Sequence, residues 1–169
     1  GGALINTKGE LVGINTAIYS QTGNFAGYGF AVPISIAGKV IADLKEFGTV
    51  QRAVLGIVIT DLPNAKERYP DKTKDIKITE GIYIDSFADR SPAKESGLVV
   101  GDVIVAINDV KVRNTGELQE QVSKYRPGNK VKVTIKRDNA DKVYTVTLKN
   151  RDGNTSVVKK TDPTVAIGA

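Results

Sequence analysis

The chain has 169 residues, and cysteine, histidine, methionine and tryptophan are absent from it. Without cysteine there can be no disulfide, no thiol nucleophile and no thiolate-ligated zinc or iron–sulfur site. Without histidine the chain lacks the usual general base at neutral pH and the commonest metal ligand. A Ser–His–Asp or Cys–His catalytic machinery cannot be completed within these residues, and we predict no metal site and no cofactor.

Long apolar runs and concentrated blocks of charge are missing as well. No apolar run approaches the roughly 20 residues that span a bilayer, so we expect no membrane span. The net charge is +5, from 24 Lys and Arg against 19 Asp and Glu, and the basic residues are interspersed with acidic ones. Because a nucleic-acid surface needs a concentrated basic stripe, we expect no nucleic-acid partner.

The first fifty residues predict a small antiparallel sheet followed by a closing amphipathic helix. A polar, glycine-rich loop separates the second and third strands. Three strands and one helix are too few for a stable independent domain, so we expect the apolar strand faces to have partners upstream. The chain is therefore expected to be a fragment of a longer protein. The predicted elements are strands at 3–5, 11–19 and 29–32 and a helix at about 35–47.

Three segments in this region resemble, in the same order, the stretch that follows the nucleophile in HtrA/Do (DegP-like) trypsin-like serine proteases. They are Gly1-Gly2-Ala3-Leu4, the strand from Gly9 to Ile18, and the strand from Gly27 to Pro33. The resemblance implies that the nucleophilic serine stands immediately before Gly1 and that the histidine and aspartate of the triad lie further upstream. This segment alone should then be inactive, with no catalytic residue of its own.

The same resemblance assigns a substrate-binding role to part of the second strand. In the family this strand edge pairs with the substrate backbone and borders the pocket for the residue before the scissile bond. A peptide added to such an edge is held by main-chain hydrogen bonds. The alternative is that these side chains are simply part of a barrel core, and both interpretations stay open. The residues concerned are Asn15, Thr16, Ala17 and Ile18.

Residues 49–150 predict a compact α+β domain. The order is strand, strand, short helix, strand, longer helix and two strands, with a charged insertion at 61–80 predicted as a loop with one short helical turn. This order resembles a bacterial PDZ domain, and PDZ-like segments occur at 91–98, 101–108 and 127–128. The expected fold class is thus mixed: the C-terminal piece of a trypsin-like β-barrel (three strands and a closing helix), then an α+β PDZ domain. We assign 1–48 to the protease segment, 49–150 to the PDZ domain and 151–169 to a linker, which in this family often leads to a second PDZ domain.

The PDZ resemblance implies a groove for peptides. An apolar–Gly–apolar turn would present backbone N–H groups to a peptide C-terminal carboxylate, the peptide would add as a strand, and a helix would line the pocket for its last apolar side chain. The implied residues are Arg52, Val54, Leu55, Gly56, Ile57, Val58, Ile59, Leu118 and Val122. Three alternatives remain open: Gly56 as a simple bulge, Leu118 and Val122 as ordinary core, and Arg52 as a solvated linker charge.

Together the resemblances imply a fragment of an envelope quality-control serine endopeptidase of the HtrA/Do type, located in the bacterial periplasm. Its PDZ domain would bind unfolded or C-terminal peptides of envelope proteins for tethering and activation, and the parent protein would be a homotrimer or larger. The alternative is a non-catalytic PDZ peptide-binding adaptor or a pseudo-protease. A pure adaptor leaves the protease-like pattern of residues 1–50 unexplained.

Overall fold

The computed structural model describes residues 1–19 and 29–159, which fall into two compact units divided between Val50 and Gln51. The predicted glycine-rich loop at 20–28 lies outside the described residues. The first unit contains strands β1 (Ala3–Ile5), β2 (Leu11–Ile18) and β3 (Gly29–Pro33) and helix α1 (Ile34–Phe47).

The first unit is an antiparallel sheet in the order β1-β2-β3, followed by α1 as the sequence predicts. The helix ends where Gly48 adopts a φ of 70° and its N–H donates to the Leu44 carbonyl at 3.0 Å. Many apolar side chains of this sheet are exposed, among them Ile5 at 60% and Phe30 at 57%. The described residues of this unit therefore do not enclose an apolar core.

The second unit is built on one antiparallel sheet in the order β4-β5-β6-β8-β9, with β7 paired to β6. Strand β4 forms one edge of this sheet and β9 the other. The strands are β4 (Ile57–Asp61), β5 (Ile82–Phe87), β6 (Val103–Ile107), β7 (Val110–Lys111), β8 (Lys130–Arg137) and β9 (Ala140–Thr147). The helices are α2 (Leu62–Arg68), α3 (Pro70–Thr73), α4 (Pro92–Glu95) and α5 (Thr115–Ser123).

Local sequence signals determine where the helices α4 and α5 begin. The Ser91 hydroxyl accepts a hydrogen bond from the Lys94 N–H at 3.2 Å, and the Asn114 side chain accepts one from the Glu117 N–H at 2.9 Å. Each cap satisfies an amide that the first helical turn would otherwise leave unpaired. Both caps agree with the sequence pattern.

The insertion between β4 and β5 differs from its predicted loop with one helical turn, because it forms two helices, α2 and α3. Leu62 and Ala65 of α2 are fully buried, and they form a small second core with Tyr83 and Val103. The main core is a separate, larger cluster. It contains Leu55, Ile82, Ile84, Ala93, Leu98, Ile104, Ile107, Val112, Leu118, Val122, Val131, Val133, Ile135, Val146 and Leu148.

Candidate peptide-binding groove

The turn that leads into β4 is attached to the rest of the unit through its carbonyl groups. Val54 pairs with Lys149 through two backbone hydrogen bonds of 2.8 and 3.4 Å. The Leu55 carbonyl accepts hydrogen bonds from the Ala93 N–H and from the Ser91 hydroxyl, both at 3.2 Å. The turn is therefore held by the end of β9 on one side and by the start of α4 on the other.

The next carbonyl in the turn is also bonded inward, since Gly56 accepts from the Ala88 N–H at 3.0 Å. In a trans peptide the N–H that follows a carbonyl points in the opposite direction. The N–H groups of Leu55, Gly56 and Ile57 consequently point away from these internal partners. In the part of the chain that the structure describes, the Leu55 and Gly56 amides donate no hydrogen bond. The turn thus presents backbone donors to the outside.

Glycine is required at the centre of this turn for two reasons. The φ of Gly56 is +69°, a backbone conformation that residues with a side chain rarely adopt. A Cβ atom there would also lie 2.8 Å from the Ser91 Cα and 3.1 Å from the Pro92 Cδ. The turn can therefore pack against the start of α4 only because residue 56 has no side chain.

Strand β4 pairs with β5, and no strand of the described residues pairs with its other edge, which is open to a further strand. Its register with β5 contains the pairs Ile57↔Phe87 and Asp61↔Ile82, and the hydrogen bonds to β5 flank these pairs rather than joining them. In an antiparallel ladder, residues of such a pair direct their N–H and C=O groups to the opposite edge. The N–H and C=O groups of Ile57 and Ile59 therefore face the open edge, as does the N–H of Asp61, whose carbonyl begins helix α2.

The helix α5 contributes two apolar side chains beside β4. Leu118 is 2% exposed and Val122 is 9% exposed, and both belong to the main core. Ile57 and Ile59 are partly buried against the same core, whereas Val58 is exposed. Leu118 and Val122 are thus core residues, and their role toward a ligand stays a prediction.

A side-chain bridge that the sequence did not suggest joins the end of β4 farthest from the turn to the start of α5. The Asp61 carboxylate accepts hydrogen bonds from the backbone N–H and from the hydroxyl of Thr115, both at 2.6 Å. These two residues are 54 positions apart in the chain, and the sequence pattern places Asp61 in the charged insertion at 61–80. No local pattern therefore links Asp61 to Thr115.

Two cations lie close to the turn, Arg52 by its place in the sequence and Lys149 by its backbone pairing with Val54, and their surroundings differ. Arg52 is exposed and lies two residues before Val54. Its attraction for a ligand carboxylate stays a prediction. The Lys149 ammonium donates to both carboxylate oxygens of Glu95, at 2.7 and 2.6 Å. This ion pair joins the end of β9 to α4 behind the turn, and it was not foreseen from the sequence.

The predicted substrate-pairing residues of the first unit lie on β2. Strand β3 pairs with β2 along this stretch, whereas the contact with the β1 side ends where the Asn15 N–H donates to the Gly2 carbonyl at 2.9 Å. Beyond that bond, one edge of β2 has no strand partner among residues 1–19 and 29–159. The residues on this edge are Thr16, Ala17 and Ile18, and all three are exposed.

Within residues 1–19 and 29–159, no group of three or more acidic residues is placed to hold a metal ion. None of the helices described in the structure combines the length and the apolar character needed to cross a membrane.

Comparison with known proteins identifies the second unit. Residues 53–148 match the family described as PDZ domain. The chain belongs to the PDZ-domain family. The turn, the open edge of β4 and the helix α5 are therefore parts of a PDZ unit, as the sequence resemblance implied.

The similarity extends beyond the PDZ unit to periplasmic proteases. The chain is 35% identical over 158 residues to a "Probable periplasmic serine endoprotease DegP-like" of Marinomonas sp. (strain MWYL1), covering 94% of the chain and 33% of that protein. It is 34% identical over 170 residues to a "Probable periplasmic serine protease do/HhoA-like" of Haemophilus influenzae, covering 100% of the chain and 35% of that protein. The chain thus spans about a third of the length of these relatives.

A solved structure agrees with this relationship. "HtrA-type protease AlgW with decapeptide" matches the chain with a TM-score of 0.62 and 33% sequence identity, covering 89% of this chain and 45% of that one. The expected resemblance to HtrA/Do serine proteases and the mixed fold with a PDZ unit are confirmed.

Proposed function

We propose that the PDZ unit binds the free C-terminus of unfolded or damaged polypeptides, which adds as a strand to the open edge of β4. The observation that carries this proposal is the orientation of the turn before β4. The carbonyls of Val54, Leu55 and Gly56 are bonded inward, so the N–H groups that follow them point away from these internal partners. A carboxylate is a natural acceptor for neighbouring backbone donors of this kind.

The expected energy of this interaction makes the terminal carboxylate decisive. A hydrogen bond from an amide to a charged acceptor contributes about 1.5–3 kcal/mol, roughly twice that of a neutral pair. The remaining ligand residues then form ladder hydrogen bonds with Ile57 and Ile59. The last apolar side chain of the ligand packs toward Leu118 and Val122, and the exposed Arg52 adds a longer-range attraction.

For the whole protein we propose a periplasmic serine endopeptidase of the HtrA/Do type. Residues 1–48 then form the C-terminal segment of the protease domain, 49–150 the PDZ domain, and 151–169 a linker toward a second PDZ domain. The homology over both units supports this assignment and disfavours a pure adaptor, since the similarity includes the first unit. The triad is supplied by residues upstream of Gly1, and the segment Asn15–Ile18 pairs with substrate along its open edge at Thr16, Ala17 and Ile18.

In this arrangement the PDZ unit acts as a tether for envelope proteins. A substrate held by its C-terminus reaches an effective concentration in roughly the millimolar range at a nearby protease domain. The parent enzyme would assemble as a homotrimer or a larger oligomer through its protease domains.

The proposal is tested with a peptide of about eight residues that ends in a free apolar residue, and with the same peptide amidated at its C-terminus. We expect the free acid to bind the 169-residue chain with a roughly micromolar Kd, and amidation to weaken binding at least about tenfold. The NMR amide resonances of Leu55, Gly56 and Ile57 should shift when the free-acid peptide is added. Equal affinity of the two peptides would refute the assignment of the turn.

A further inference from the structure

We infer that Asp61 makes the groove selective for ligands with a lysine or arginine at the fifth residue from their C-terminus. The inference rests on the proposed function, because this position is counted from a carboxylate held at the turn of Leu55, Gly56 and Ile57.

The register of β4 determines which ligand residue meets Asp61. Ile57 and Ile59 direct both backbone groups to the open edge, and Asp61, the N-cap residue of α2, directs its N–H there. A ligand strand that runs antiparallel to β4, with its carboxylate at the turn, places its last residue opposite Ile57. Its third residue from the end lies opposite Ile59 and its fifth opposite Asp61, because pairing advances one residue on each strand. Directly opposite side chains point to the same face, with Cβ atoms about 4.5–5.5 Å apart.

The Asp61 side chain lies on the face that looks toward α5. Alternate residues of a strand share a face, so Asp61 lies on the face of Ile57 and Ile59, which pack on the core. Its contact with Thr115, the first residue of α5, independently shows the same direction. The side chain of the fifth ligand residue, which shares this face, therefore meets the bridge between Asp61 and Thr115.

One oxygen of this carboxylate remains available. Both hydrogen bonds from Thr115 end on the Oδ1 atom of Asp61. Among residues 1–19 and 29–159, the second oxygen of Asp61 accepts no hydrogen bond and forms no ion pair, and the residue is partly exposed. Thr115 thus fixes the orientation of the carboxylate and leaves a negatively charged acceptor toward the ligand.

The other charged groups at the start of α5 are already engaged. The Arg113 side chain lies 3.6 Å from the Glu80 carboxylate, and Glu117 accepts a hydrogen bond from the Arg113 backbone at 2.8 Å. The protein as a whole carries a net charge of +5, which disfavours cationic ligands in general. A preference for lysine at one ligand position would therefore have to come from a local carboxylate and could not come from the overall field.

The first measurement compares three peptides with free apolar C-termini that differ only in having lysine, alanine or glutamate at the fifth residue from the end. On the 169-residue chain we expect lysine to bind about three- to tenfold more tightly than glutamate at low ionic strength, with alanine between them. The ratio should shrink in about 0.5 M salt, because a partly exposed ion pair is screened.

A pair of variants then locates the effect. Asp61→Asn keeps an oxygen acceptor for Thr115 and removes the charge, so the ratio of lysine to glutamate affinity should fall to near one while the alanine peptide binds as before. Asp141→Asn removes the same charge from β9, at the opposite edge of the sheet, and should leave the ratio unchanged.

Two outcomes would overturn the inference. They are equal binding of the lysine and glutamate peptides to the unchanged protein, and a ratio of lysine to glutamate affinity that survives Asp61→Asn. The first comparison needs no variant and is independent of any loss of folding. Amidated peptides separate this inference from the proposed function: if amidation abolishes binding in every case, the function stands whatever the ratio shows. If amidation has no effect, the function itself fails.

Discussion

Replacing Gly56 by alanine tests the structure of the turn most directly. A residue with a side chain in the left-handed conformation costs about 1–2 kcal/mol. The new Cβ would also lie 2.8 Å from the Ser91 Cα, so the turn or the start of α4 must move. Forced overpacking of this kind adds about 1–3 kcal/mol. We therefore expect Gly56→Ala to lower the free energy of unfolding of the PDZ unit by about 2–5 kcal/mol.

The movement should impair ligand binding as well as stability. Any shift that relieves the contact with Ser91 alters the two 3.2 Å hydrogen bonds to the Leu55 carbonyl, and the N–H groups of the turn rotate with that carbonyl. Under conditions where Gly56→Ala is still folded, we expect the free-acid peptide to lose most of its advantage over the amidated one. Urea unfolding measures the stability, and peptide titration of the folded protein measures the affinity.

Two other glycines provide matched controls. Gly101 has a φ of +96°, but its nearest neighbour, the Tyr83 hydroxyl, would lie 3.9 Å from a new Cβ, so Gly101→Ala carries the conformational cost without the overlap. Gly38 lies in helix α1 with open space around it, and alanine there should stabilise that helix by about 0.5–1 kcal/mol. Neither control should change peptide affinity. Normal, amide-sensitive binding by folded Gly56→Ala would show that the turn is not the carboxylate site.

Two predictions concern the stability of the PDZ unit. Asp102 is fully buried and forms two 2.7 Å hydrogen bonds with Arg137, whose side chain keeps some contact with solvent. Asp102→Ala should therefore lower the free energy of unfolding, measured with urea, by about 3 kcal/mol, the low end for a broken buried pair. Asp141→Ala, which breaks an exposed pair, should lower it by at most about 1 kcal/mol. An equal loss in both variants would contradict this. Burial, reinforced by Asp85 and a neighbouring tyrosine, raises the pKa of Tyr83. The stability that the neutral Tyr83 side chain contributes is thus complete below its unfolded pKa of about 10, and it is lost as the pH rises through its higher folded pKa. Between about pH 9 and about pH 11, the urea midpoint should therefore fall less in Tyr83→Phe than in the unchanged protein.

The parts of the fold that depend on short-range signals could be predicted from the sequence. The caps at Ser91 and Asn114 need only a polar side chain and an amide three residues later, and both are present. The helix α2 is predicted only as a short helical turn, because its charged, proline-containing sequence has weak helical periodicity. It is stabilised by packing of Leu62 on Tyr83, which lies in a different strand of the sheet. Tertiary packing of this kind overrides local propensity.

The same distinction applies to the site. The turn around Gly56 could be proposed because an apolar–Gly–apolar segment before a strand is a local pattern. Its attachment by the Ser91 hydroxyl and the bridge between Asp61 and Thr115 could not, because the partners are 36 and 54 residues apart. A single sequence gives no measure of which distant polar side chains come into contact.

In the groove, affinity for a free C-terminus and choice among ligand sequences depend on different groups, the backbone for the first and side chains for the second. In the proposed mode of binding, backbone N–H groups hold the carboxylate, so no single side-chain truncation removes its donors. Affinity for a free C-terminus should then tolerate sequence change as long as residue 56 stays glycine. Choice among ligands would depend instead on side chains between β4 and α5, of which Asp61 is charged and held in place by Thr115. A change at Asp61 should therefore alter which polypeptides are bound without altering the requirement for a free C-terminus.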